Sequence, residues 1–359
     1  MGEYAIIGDR LAPYFNEAVA NQMNVFSKEI GARIFTCNDI GFRPFMRQGQ
    51  YTIVNSRFLQ RGTPILSYIN GFLILLLLKV FSMRYSKIIV AGGVDSEFLR
   101  YIRPEKCIPF ITTIQNDKRI QSRVLQKYPL IFVQTEKDRQ RLMENGASSD
   151  KVVKRCPMLD LPAFRPCPPP DTHEFRILFA SAPNTEILGE DNYSDKGLPI
   201  LLEAFKKIVC KYVNAKLYVV WRGKYKQQLY KDIQHFELGD NVIILDSMVN
   251  MPEMYSKIHA TVIPYLNSWR SPEIPLSALE SLISHRPIVV TDVVEIADMV
   301  RKNGCGTVCK PTAESIFEGL LKVIDNYCIY YVQCQNFREK YERHRKTSLI
   351  LSHNNQSGD

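Results

Sequence analysis

Residues 260–292 constrain the chain more than any other stretch. They read A-T-V-I-P-Y-L-N-S-W-R-S-P-E-I-P-L-S-A-L-E-S-L-I-S-H-R-P-I-V-V-T-D. An apolar run, Ala260 to Pro264, gives way to a polar loop carrying Pro272 and Pro275. Helical spacing from about Leu276 to Ser284 follows, then a second apolar run, Pro287 to Thr291. Two short apolar runs joined by a helix-bearing crossover form the unit of a parallel sheet buried on both faces. Pro275 suits the first turn of that helix, where its missing N–H costs nothing. The helix start offers unpaired backbone N–H groups and a partial positive charge, with Ser277 beside them and Glu280 one turn on. At the carboxyl end of a strand, this arrangement suits an anion or a nucleotide.

The same alternation runs through the whole chain. In the first half, strands are expected at Tyr4–Gly8, Ala32–Cys37, Tyr51–Asn55, Lys87–Val90, Pro109–Ile114, Leu130–Gln134 and Val152–Arg155. Helices are expected between several of them, one closed by Gly31. A long helix over Ile65–Met83 contains the most apolar run, Phe72–Leu78. Seven residues flanked by Asn70 and Lys79 fall short of the roughly 20 needed to span a bilayer, and a buried domain helix is expected. Four prolines within Pro166–Pro170 exclude helix and central strand, so a linker is expected there, with a domain boundary near residue 168. The second half resumes with Arg176–Ala180. Lys196-Gly197 then opens an amphipathic helix burying Leu201, Leu202 and Phe205. A strand at Lys216–Trp221 ends beside Arg222.

The chain's 359 residues suffice for two domains,. Its nine cysteines include no C-x-x-C pair, which argues against a zinc site or a disulfide framework and for free thiols,. The N-terminus runs directly into the first strand, with no secretory pattern. Charge is divided unevenly. Residues 1–165 hold 24 Lys and Arg against 14 Asp and Glu, whereas residues 166–359 hold 22 against 23. The excess suggests an anionic partner for the first half, an acidic acceptor or a membrane surface. No aromatic-interleaved basic motif supports nucleic acid. No Walker loop or G-x-G-x-x-G fingerprint occurs, which disfavours P-loop enzymes and dehydrogenases.

Several segments resemble family 4 glycosyltransferases. P-L-S-A-L-E followed by H-R-P-I-V-V is similar to that family's donor-binding helix and its G-x-P-V-V strand. D-K-G-L-P-I-L-L-E-A resembles its K-G-x-x-x-L-L-x-A segment. V-Q-T-E-K-D-R-Q-R-L resembles its Thr-Glu helix start in the first domain. Asp160, Phe164 and Pro166 match the spacing of its hinge. The resemblance implies an α/β chain of GT-B architecture, two Rossmann-like domains with parallel sheets facing a cleft. The expected division is an acceptor-binding domain, 1–167, and a nucleotide-sugar donor-binding domain, 168–327. A C-terminal helix and polar tail, 328–359, would cross back to the first domain.

By that resemblance, Lys196 and Gly197 would meet the donor diphosphate; the family's arginine partner is absent, and Arg222, at the carboxyl end of the Lys216–Trp221 strand, can supply the second cation. Met248 and Val249 would form the base-binding turn, and Ser271, Leu276 and Ser277 would line the site. Glu280 would hold the ribose. The family's first glutamate would fall on Pro272, so Glu273, one place late, is the carboxylate left to reach the sugar. Lys196, Arg222 and Glu273 are therefore the expected catalytic residues.

The implied activity is hexosyl transfer from a nucleotide-diphosphate sugar, such as a UDP- or GDP-sugar, to a glycan or lipid-linked acceptor. The family is usually retaining, and no D-x-D or histidine cluster suggests a metal, so no cofactor is expected. The setting would be polysaccharide biosynthesis at the cytoplasmic face of a membrane, to which the chain would attach peripherally. The alternative is an inactive sugar-nucleotide-binding or scaffold protein. All six histidines lie beyond residue 172, so the histidine that many members carry in the first domain is missing. Gln115 or Asn116 would stand in that region. A hydrolase or epimerase of the same fold is disfavoured for the same reason.

Overall fold

The computed structural model describes residues 4–12, 18–38, 45–55, 76–92, 98–112, 114, 120, 122–181, 192–221, 225–267 and 273–350. The chain divides into two compact units, Met1–Leu159 and Asp160–Asp359.

In the first unit, β1 (Tyr4–Asp9), β2 (Arg33–Asn38), β3 (Phe45–Gln48), β4 (Tyr51–Asn55), β5 (Lys87–Ala91), β6 (Cys107–Ile111), β7 (Ile131–Val133) and β8 (Val152–Lys154) form one sheet. Its order is β3-β4-β2-β1-β5-β6-β7-β8. Every pairing is parallel except β3 with β4 at one edge. That antiparallel edge strand, Phe-Met-Arg-Gln, was not expected, because four residues with two polar ones give no clear period. Thr135 starts the Glu136–Glu144 helix as expected, its hydroxyl accepting from the Asp138 N–H at 3.0 Å.

Residues 76–83 are helical, within the expected 65–83 helix. The buried-helix reading needs correction there. Leu78 is buried, but Leu76 and Leu77 are 47% and 39% exposed. Residues 56–75, where the rest of that expected helix would fall, lie outside the described residues.

In the second unit, β9 (Arg176–Ala180), β10 (Lys216–Val220), β11 (Val242–Leu245), β12 (Ala260–Ile263), β13 (Ile288–Thr291) and β14 (Gly306–Cys309) pair in parallel in the order β11-β10-β9-β12-β13-β14. The chain order reverses between β9 and β12, the place where a doubly wound sheet opens a crevice at its carboxyl edge. Four consecutive buried residues in β12 and again in β13 reflect cover on both faces,. Trp221, Phe205, Phe179 and Leu320 anchor the core.

The Pro-rich stretch begins the second unit instead of separating the two. The boundary falls at residue 160, not near 168. Arg286, wholly buried, explains why. Its guanidinium donates to the carbonyls of Tyr255 (2.8 Å), Cys167 (3.1 Å) and Pro168 (2.7 Å). A buried cation needs such acceptors, and the proline run, poor in N–H donors, has carbonyls to spare. Tyr331 and Arg338 reinforce the attachment, donating to the Cys167 and Phe164 carbonyls. Both lie on one continuous helix, Tyr327–Ile350, where a shorter terminal helix around residues 337–345 was expected.

His285 stands where the resemblance places glycine and adopts a left-handed φ of 63°. This residue ends the Leu276–Ile283 helix, and the Arg286 N–H reaches back to the Ser281 carbonyl at 2.8 Å.

Candidate functional site

The carboxyl edge of the second sheet is assembled around the end of β12. Gly197 precedes the Leu198–Lys211 helix with φ 75° and lies against Pro264, so a Cβ there would collide with the Pro264 carbonyl oxygen. Only glycine allows both the left-handed turn and this approach. The helix start is thereby held beside the strand end. Lys196, 6% exposed, sets its ammonium 4.4 Å from the centre of the Tyr265 ring, a cation–π contact,. The loop after β12 is tied to the same place. The Leu266 N–H donates to the Asp195 carbonyl at 3.0 Å, and Asn267 Nδ2 donates to Asp195 Oδ1 at 2.9 Å. Thr291, ending β13, donates to the Tyr265 carbonyl at 2.6 Å.

The Leu276–Ile283 helix emerges from that loop. Pro275 occupies the cap position and supplies no side-chain cap, so the first turn, with half-buried Leu276 and Ser277, retains its N-terminal polarity,. One turn on, Glu280 Oε2 accepts from the Tyr255 hydroxyl at 3.1 Å. The same hydroxyl lies 2.9 Å from the Ser277 carbonyl. Among the described residues, Glu280 Oε1 has no hydrogen-bond partner. Burial pushes the Glu280 carboxyl up to about 7, against the Tyr255 hydrogen bond, which by itself lowers it.

Glu273, the carboxylate expected at the sugar, packs against the start of a neighbouring helix. It is buried, and its carboxylate accepts from the Glu295 N–H at 3.0 Å, while its carbonyl accepts from the Ile296 N–H at 3.1 Å. Both donors belong to the start of the Ile296–Asn303 helix, whose N-terminus favours a negative charge,. The carboxylate is thus a helix cap in this structure.

Met248, exposed, and Val249, half-buried, lie in the loop after β11, followed by the Met251–Lys257 helix capped by Asn250. Arg222 and Ser271 lie outside the described residues, as do Gln115 and Asn116. Tyr255, Tyr265 and Asp195 were not foreseen. A tyrosine directly after a buried strand, as in P-Y at 264–265, is a signal for Tyr265 alone. Among the described residues, no three His, Cys, Asp or Glu side chains gather as metal ligands.

This edge of the sheet lies in a stretch that is similar to a known family. Residues 189–344 match the family described as glycosyl transferases group 1, a span that includes Lys196, the Leu276–Ile283 helix and most of the last helix. The match lies within the second unit and covers less than half of the chain. Over its whole length the chain has the GT-B fold of solved glycosyltransferases. It is similar to sucrose-phosphate synthase from Thermosynechococcus elongatus (TM-score 0.70, 14% identity, 98% of each chain covered). It is also similar to Anabaena HepE in complex with UDP and glucose (TM-score 0.69, 11% identity, 97% of this chain and 99% of that one). A third likeness is to WaaG, a glycosyltransferase involved in lipopolysaccharide biosynthesis (TM-score 0.65, 12% identity, 94% and 95%). In sequence, 97 residues are 31% identical to an uncharacterized glycosyltransferase of Methanocaldococcus jannaschii. That stretch is 27% of this chain and 23% of the relative's length.

Proposed function

We propose that the protein is a family 4 hexosyltransferase that moves a sugar from a nucleotide-diphosphate sugar to a glycan or lipid-linked acceptor. One observation carries the reading. The Lys196–Gly197 helix start is clamped to the end of β12, and the helix that follows β12 presents Glu280 with one carboxylate oxygen unengaged among the described residues. A buried cation and a helix N-terminus suit a departing diphosphate, and a carboxylate suits a pair of ribose hydroxyls. Arg222 would add the second cation. Such a site stabilises the leaving group without a metal, and retention follows the resemblance. HepE was solved with UDP and with UDP-glucose, which supports a UDP-sugar as the first donor to try. Polysaccharide or lipopolysaccharide assembly is the proposed setting, and the basic first half suits an anionic surface. The test is donor hydrolysis and transfer across a panel of UDP- and GDP-sugars. Turnover with one donor supports the reading, and an absence of binding to every donor overturns it.

A second reading has its own observation. Glu273, the carboxylate expected at the sugar, is engaged as a helix cap. Tight donor binding without hydrolysis or transfer would favour an inactive sugar-nucleotide-binding protein.

A further inference from the structure

Helical residues 76–83 carry two opposed faces. At about 100° per residue, Leu78, Phe81 and Ser82 share the inner side. Phe81 packs on Phe35 and Tyr85, with ring centres 5.3 and 4.9 Å apart, and Leu78 and Ser82 are buried. The outer side presents Leu76, Leu77, Val80 and Met83, exposed by 47, 39, 44 and 71%. These are four of the ten large apolar side chains exposed among the described residues. Single exposed leucines are ordinary, but a cluster on one helix turn marks a contact surface.

Charge identifies the occupant. Lys79 and Arg84, both exposed, flank the apolar side chains. The sequence from Ile40 to Val94 contains seven Lys and Arg and no Asp or Glu. A second copy meeting this face through a two-fold axis would set cation against cation. Anionic headgroups above an apolar interior match both features at once. No helix among the described residues is long and apolar enough to cross a membrane, and an amphipathic helix turn of this kind suits a contact in the plane of the interface.

We infer that this face docks the first unit onto an anionic lipid bilayer, with Leu76, Val80 and Met83 entering the headgroup boundary and Lys79 and Arg84 pairing with lipid phosphates. The inference deepens the acceptor reading above and rests on it for its purpose, because a lipid-linked acceptor is met at such a surface.

The experiment is flotation of the full chain with vesicles of phosphatidylcholine alone or mixed with phosphatidylglycerol, with UDP-glucose affinity measured in parallel. The wild type is expected to float with the anionic vesicles only, less as salt rises. Lys79→Gln with Arg84→Gln should weaken flotation roughly fivefold per charge, and Val80→Ser with Met83→Ser on the order of tenfold. All of these side chains are exposed and outside the donor site, so UDP-glucose affinity should stay the same. Flotation that is absent in the wild type, or unchanged in both double variants, overturns the inference. So does sedimentation showing that Val80→Ser with Met83→Ser converts a dimer to a monomer. Vesicle binding with no donor binding would instead remove the transferase reading and leave the membrane contact standing.

Discussion

The Tyr255 hydroxyl lies 2.9 Å from the Ser277 carbonyl and 3.1 Å from Glu280 Oε2, and one proton cannot satisfy both acceptors fully. When the tyrosine donates to the carbonyl, a protonated Glu280 completes the pair by donating to the tyrosine. Desolvation, which lifts the Glu280 carboxyl from 4.5 to about 7, favours that neutral form in the unliganded protein. Ribose hydroxyls would favour the ionised one, because a carboxylate accepts from both.

The first prediction follows from that competition. UDP-glucose, whose diphosphate does not titrate near neutrality, should bind roughly tenfold tighter at about pH 8 than at about pH 6. Glu280→Gln should flatten the profile and weaken binding at the higher pH. Linkage gives the sign for stability. The folded protein keeps a proton there that the unfolded chain releases above about 4.5, so this group's contribution falls as pH rises toward 7,. Calorimetric titration at both pH values, with melting curves, checks each part.

Lys196→Ala should weaken donor binding by about 1.5–3 kcal/mol, the range for a hydrogen bond to a charged group. The fold should tolerate the change, since Tyr265 keeps its place through the Thr291 hydrogen bond to its carbonyl. Unchanged affinity would show that the ammonium serves the fold and not the donor.

For Glu273, capping and chemistry predict different outcomes. As a cap, Glu273→Ala should cost about 1 kcal/mol of stability, and Glu273→Gln, which still accepts from the Glu295 N–H, should recover most of it. A carboxylate needed at the sugar would instead leave Glu273→Gln stable and at least tenfold slower, about 1.4 kcal/mol in the barrier. Melting temperature and turnover measured on both variants separate the two.

Acid should destabilise the second unit. Burial, then the charge of Arg286, lowers the His259 imidazole to about 4, and its Nδ1 accepts from the Arg176 N–H at 3.0 Å. His285 is lowered to about 4 by burial and by Arg338 and Arg286. In the unfolded chain both take up protons below about 6.5, while the folded protein resists until about 4. Their contribution is therefore present above 6.5 and lost as pH falls toward 4,. Denaturant titrations across that window should show the loss, and His259→Gln should reduce it.

Arg155 offers the opposite kind of test. Among the described residues its buried Nε and Nη1 have no hydrogen-bond partner, and its guanidinium lies 4.1 Å from the centre of the Phe132 ring. Replacing a poorly compensated buried ion with an apolar side chain is often neutral or stabilising, by about 1–4 kcal/mol. Arg155→Met should leave the first unit as stable or more stable in urea. A loss of several kcal/mol would mean that the cation is held by more than the aromatic ring.

Strand positions were legible because parallel strands buried on both faces read as unbroken apolar runs, as at Ala260–Ile263 and Ile288–Thr291. The glycine at 197 was legible for its place but not its reason, which is a carbonyl 67 residues later in sequence, on Pro264. Partnerships across the fold were not legible. Nothing local to Glu273 reveals that its carboxylate reaches the helix starting at Ile296, and nothing local to Tyr255 announces Glu280. Each depends on loop paths that short-range periodicity does not encode. The 160–170 stretch misled for the same reason. Its prolines mark it as irregular, yet irregular chain can still be fixed in place when a buried side chain elsewhere requires its carbonyls.

That attachment governs how the protein can be taken apart. Cutting at residue 172, where β9 is about to begin, would remove the Cys167 and Pro168 carbonyls and strand the buried Arg286 cation with the Tyr255 carbonyl as its one remaining acceptor among those described. It would also remove Phe164, whose carbonyl holds Arg338 and whose ring faces Tyr255 at 6.0 Å. Such a fragment would expose the back of the helix that carries Glu280 and report a weak nucleotide site for reasons unrelated to the site itself. A cut at residue 160 keeps the strap with the domain that depends on it.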